Sequence, residues 1–189
     1  MAARITPPAS ESQTRIIREG GRPEGTPQVT STLEARVGQA LGAHGLTLAL
    51  AESCTGGLIG HSVTSVPGSS AYFLGGVISY ANQVKVDLLG VRPETLDADG
   101  AVSRATAEQM AEGARQRLGA DIGLSVTGIA GPTGDTAEKP IGLTWIGVAG
   151  PHGIRSQRFV FAGDRAAVKQ QAAEAALTQL LLYLQASDE

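Results

Sequence analysis

The stretch LTLALAESCTGG, Leu46 to Gly57, decides the reading of the chain. Its first half, Leu46 to Ala51, is a short apolar run of the kind that forms a buried strand. Ahead of it, a helix is predicted from a capping-box pattern, with Ser31 as cap and Glu34 placed to reach back. Leu33, Val37, Ala40 and Leu41 share one face of that helix at helical spacing, and Gly45 ends it. Beyond the strand the chain turns at Ser53, and Gly56 and Gly57 open a short helix predicted over Thr55 to Ser65.

Working outward, the same alternation continues. Phe73 to Tyr80 reads as a strand and Asn82 to Leu89 as a helix. Ser103 caps a helix that carries Ala107, Met110, Ala111, Ala114 and Leu118 on one side and closes at Gly119. Ile122 to Thr127 reads as another buried strand, followed by a Gly/Pro-rich loop to Pro140. Ile141 to Ala149 and Ile154 to Phe161 form a hairpin through Pro151, His152 and Gly153. Asp164 caps a final helix whose apolar residues include Val168, Ala172, Ala175, Ala176 and Leu180. Helices alternating with strands predict an α/β fold, a layered sandwich with a mixed, mostly parallel sheet flanked by helices. Residues 1–29, rich in Pro, Gly, Ser, Thr and Arg, are expected to be a flexible arm, leaving 30–189 as one domain.

Composition narrows the function. With 42% apolar and 17% charged residues the balance is that of an ordinary globular protein. A net charge of −3 and 4% aromatics exclude a basic, base-stacking nucleic-acid groove. The single cysteine, Cys54, fits a reducing compartment. The chain has no apolar run that spans a bilayer and no signal-peptide core at its start, so a cytoplasmic location without membrane partners is expected. No His/Cys/carboxylate cluster has metal-ligand spacing, and neither metal nor cofactor is expected.

Ser53 stands at the carboxyl end of a strand, where ligands collect in open α/β sheets. The backbone N–H groups from Cys54 through Gly57, at a helix start, are candidates to hold an anion. Ser53 and Thr55 read equally well as helix caps. The segment is neither a Gly-x-Ser-x-Gly elbow nor a Walker loop. Cys54 lacks a patterned histidine partner among His44, His61 and His152, and reads first as a small buried hydrophobe. A serine nucleophile without histidine needs another base, and a lysine serves if burial keeps it neutral. Lys85, one turn into its helix beside Val84, Val86 and Leu88, is the candidate; a solvated helix lysine is the plainer reading. Sequence spacing alone does not bring it to Ser53. Thr127 to Gly134 forms a glycine-rich loop after a strand, and Arg165 follows Gly163-Asp164 with a planar fork suited to phosphate or carboxylate.

Together these segments resemble the C-terminal domain of the CinA (competence/damage-inducible) family. The resemblance rests on AESCTGG (Ala51–Gly57), PGSSAYF (Pro67–Phe73), SYANQVKVDLLGV (Ser79–Val91), GAVS (Gly100–Ser103), TGIAGP (Thr127–Pro132), EKPIG (Glu138–Gly142) and FAGDR (Phe161–Arg165). It implies a nicotinamide-nucleotide amidase (NMN deamidase) of pyridine-nucleotide salvage, with nicotinamide mononucleotide as small-molecule substrate and a homo-oligomeric assembly. It carries the nucleophile onto Ser53, the base onto Lys85 and a supporting tyrosine onto Tyr80. Substrate binding is expected at Thr55, Gly56, Gly57, Thr127, Gly128 and Arg165. Larger family proteins bear an additional N-terminal domain resembling molybdopterin-binding proteins; none is expected here, and its pyrophosphatase activity is not carried over. Gly134-Asp135 departs from the paired glycines usual before the Lys-Pro segment. Two other readings are a non-catalytic nucleotide-binding module and a structural partner for a separate protein.

Overall fold

A computed structural model describes residues 31–186; the arm expected over 1–29 lies outside the described residues. The first helix, α1 (Leu33–His44), is capped by Thr32, whose Oγ1 accepts from the Ala35 N–H at 3.4 Å, one residue later than the expected Ser31. Gly45 ends it in the left-handed conformation at φ 64°. Strand β1 (Leu48–Glu52) starts two residues later than expected. Thr47 is held outside the ladder, giving its N–H and hydroxyl to the Asp121 carboxylate at 2.9 and 2.7 Å.

Helix α2 (Leu58–Thr64) begins after the glycines rather than at Thr55, because Gly56 and Gly57 stand at φ 64° and 99°, outside the helical region. β2 (Phe73–Ile78) and α3 (Asn82–Leu89) follow. The next helix, α4 (Pro93–Asp99), has no counterpart in the sequence reading: it is short and acidic, with Thr95 its buried residue, so it shows no apolar period. α5 (Arg104–Leu118) is capped by Ser103 and closed by Gly119, and β3 (Ile122–Gly128) comes next. β4 (Leu143–Gly150) and β5 (Gly153–Val160) form the expected hairpin, and Asp164 caps α6 (Arg165–Gln185). No helix among the described residues is long and apolar enough to cross a membrane.

The five strands form one sheet in the order β2-β1-β3-β4-β5. β1 pairs parallel with β2 and β3, while β4 runs antiparallel to both its neighbours, so four strands share one direction. Side chains alternate across the sheet. On one face Leu48, Leu50, Ile122, Leu124 and Val126 pack against α1, α2 and α6. The other face is built of small residues, Ala49, Ala51, Gly123, Ser125 and Gly147, and α5 lies close upon it. A Cβ on Gly123 would stand 2.9 Å from the carbonyl carbon of Ala111, so a side chain there would hold the helix off the sheet. α3 packs on α5 in turn. The carboxyl ends of β1, β2 and β3 therefore open together, with α3 over one side and the start of α6 over the other.

Candidate active site

Ser53 follows the last residue of β1, and its N–H continues the ladder by donating to the Val126 carbonyl at 2.9 Å. Across the cleft, α3 turns Lys85 and Leu89, one helical turn apart, toward the interior. Lys85 is 1% exposed and ranks among the largest fully buried side chains. Its amine donates to the Ser79 carbonyl at 2.5 Å, lies 3.2 Å from the Ser53 hydroxyl and reaches the Tyr80 carbonyl at 3.5 Å. Burial depresses the Lys85 pKa below the ordinary lysine value, with the neighbouring Cys54 pulling weakly the other way. Lys85 and Ser53, which sequence spacing alone did not bring together, are thus within the distance that proton transfer requires.

The cleft holding this pair has a volume of about 250 Å³. Thr127, Gly128 and the loop through Gly134 form one wall, Ala101 and Val102 a second, and Tyr80, Asn82 and Arg165 the rim. Thr127 is buried and its hydroxyl donates to the Ala101 carbonyl at 2.7 Å, which ties two walls together. Gly128 must be glycine, since a Cβ there would stand 2.7 Å from Thr144 Oγ1 and 3.0 Å from Cys54 Sγ. Arg165 gives one nitrogen to the Gly131 carbonyl and another to the Tyr80 hydroxyl, both at 2.8 Å. Tyr80 therefore meets Lys85 through its carbonyl, while its phenol, 63% exposed with the rest of the side chain, faces Arg165.

Thr55, Gly56 and Gly57 are not part of this cleft. They line a separate open hollow with Leu58, His61, Ala166 and Lys169. Three donors at the start of α2 are already taken: the Glu52 carboxylate accepts from the N–H groups of Gly57, Ile59 and Gly60 at 2.9, 3.2 and 2.8 Å. The amides of Cys54 and Thr55 lie against the Cys54 sulfur. Of the loop amides expected to hold an anion, the Gly57 N–H is therefore already bonded to Glu52. Burial pushes the Cys54 thiol up to about 11, which disfavours the nucleophilic thiolate. His61 lines the outer hollow, and no histidine lines the cleft. Among the described residues no group of His, Cys, Asp or Glu is placed to hold a metal ion.

Two contributors escaped the sequence reading. Ser79 acts through its carbonyl, which any residue type supplies, so no sequence signal marks it. Glu52 had a signal, an acid directly before a glycine-rich helix entrance, where carboxylates are favoured.

Comparison with known proteins agrees with this architecture. The profile of the CinA C-terminal domain matches residues 30–184. A CinA-like protein of Chlorobium limicola is 51% identical over 160 residues, covering 82% of this chain and 37% of that protein. One of Chlorobaculum tepidum is 52% identical over 158 residues, covering 81% of this chain and 37% of that protein. The chain thus spans little more than a third of the length of these relatives. A competence-damaged protein (CinA) superfamily structure from Klebsiella pneumoniae superposes with TM-score 0.78 at 37% identity, covering 81% of this chain and 96% of that one. The competence/damage inducible protein CihA of Agrobacterium tumefaciens superposes with TM-score 0.77 at 41% identity, covering 81% and 93%. By sequence and by fold, the chain belongs to the CinA C-terminal domain family.

Proposed function

We propose that this domain hydrolyses nicotinamide mononucleotide to nicotinic acid mononucleotide and ammonia by a serine–lysine mechanism. The observation that supports this reading most is the buried Lys85 amine 3.2 Å from the Ser53 hydroxyl. Desolvation favours the neutral amine, whose lone pair takes the hydroxyl proton as Ser53 Oγ attacks the carboxamide carbon. In this reading, backbone amides of the loop that lines the cleft serve the oxyanion. Protonated Lys85 then returns its proton to the amide nitrogen, the C–N bond breaks and ammonia leaves. Water attacks the resulting ester, gives a proton to Lys85 and releases the acid with free Ser53.

In this reading the cleft takes the carboxamide-bearing ring, and Arg165, which lines the cleft, binds the nucleotide phosphate. Binding by Arg165 would exchange its bonds to Tyr80 and Gly131 for a charge-assisted fork on phosphate. The test is ammonia release from nicotinamide mononucleotide by wild type, Ser53→Ala and Lys85→Ala. Each variant is expected to lose about a thousandfold or more in kcat, as for members of a catalytic unit elsewhere. Undiminished turnover in either removes that residue from the mechanism. Tight nucleotide binding by the wild type without ammonia would favour the non-catalytic module.

A further inference from the structure

We propose that Glu52 is a positioning residue of the Ser53–Lys85 centre, an inference that rests on the serine–lysine reading. Glu52 is 3% exposed, and its side chain touches no reacting atom. It holds both halves of the centre at once. Its carboxylate accepts three backbone N–H groups, with Oε2 taking Gly57 and Ile59 and Oε1 taking Gly60. That closes the Ser53–Gly57 turn onto the first turn of α2. Its own carbonyl accepts the Ser79 N–H at 2.8 Å, and the Ser79 carbonyl is the acceptor that holds the Lys85 amine.

The residue type follows from the donor count. Both carboxylate oxygens face N–H groups, and charge-assisted bonds of this kind are the strong ones. Glutamine is the same size but presents an NH₂ to one side, so a donor would face a donor in a buried site. Aspartate is one methylene short of the span. Inside the turn Gly56 and Gly57 hold positive φ angles and resist reorientation little by themselves. Without the clamp the turn relaxes and Ser53 Oγ swings away from Lys85. Lys85 stays anchored on α3, so its protonation is unchanged.

The experiment follows the full chain with a fluorophosphonate probe, locating the adduct on Ser53 by mass spectrometry, beside ammonia release from nicotinamide mononucleotide. Glu52→Gln and Glu52→Asp are expected to slow Ser53 labelling between about tenfold and a hundredfold, the scale of a small misplacement. The midpoint of the rate–pH profile should stay at the wild-type value, and kcat should fall with KM unchanged. A purely structural residue would lower Tm yet leave labelling at the wild-type rate below the transition, and that result overturns the proposal. Labelling of wild-type Ser53 without ammonia would sink the substrate assignment alone, and Glu52 is then judged on labelling. No labelling of wild-type Ser53 sinks the serine–lysine reading and this one with it. Should the variants fail to fold, amide exchange in the wild type decides. Gly57, Ile59 and Gly60 are expected to be protected together, and exchange at the rate of free first-turn amides rejects the clamp.

Discussion

A lysine amine buried beside hydroxyl and carbonyl oxygens, with burial as the main cause of its depressed pKa, ties the proposed chemistry to stability at Lys85. Its folded pKa lies below that of the unfolded chain, about 10.4. Between the two values the unfolded chain binds one more proton, so stability rises with pH across that window and is lost as pH falls through the folded value. Relative to Lys85→Met, the wild type should therefore gain unfolding free energy as pH rises toward 10, by at most about 1.4 kcal/mol per pH unit. Urea unfolding of both proteins at several pH values measures this, and parallel curves would mean Lys85 is not desolvated. Cys54 gives a second prediction at this scale. With its thiol raised to about 11, native protein should react with iodoacetamide at pH 8 far more slowly than unfolded protein. Ser53 and the loop from Thr127 could be singled out from the sequence because strand ends mark them, whereas Lys85 and Arg165 read as plainly as surface residues and took their expected roles from the family resemblance. At the Thr55–Gly57 turn the sequence is ambiguous, because a glycine-rich helix entrance looks the same whether a ligand or an upstream acid fills it.

Among the elements, α3 and α5 decide where Lys85 stands. Gly113 on α5 lets α3 come close: a Cβ there would lie 2.7 Å from the Leu89 carbonyl carbon and 3.0 Å from its Cα. Because the obstruction is backbone, Gly113→Ala should destabilise the protein by about 3 kcal/mol, the upper end for overpacking. Chemical denaturation reads the loss, and ammonia release should fall alongside it because α3 carries Lys85. The bounds of α3, Asn82–Leu89, were those expected, since Gly90 closes it with a left-handed residue. α4 was not expected, since tertiary packing rather than an apolar stripe sustains it.

At the scale of the whole molecule, the family match spans residues 30–184. A chain starting at Ser31 is accordingly expected to fold with the Tm of the full chain and to release ammonia at the same rate. Calorimetry and the same assay check this, and a lower Tm would assign the first thirty residues a part in stability. The sequence by itself determined the alternation of strands and helices and the terminal hairpin, because apolar period, caps and glycines are local properties. Only the tertiary structure decided that Lys85 meets Ser53, that Tyr80 turns its phenol to Arg165, and that Glu52 occupies the start of α2. Each of those contacts depends on strand order and on how closely helices approach the sheet, which side chains distant along the chain settle jointly.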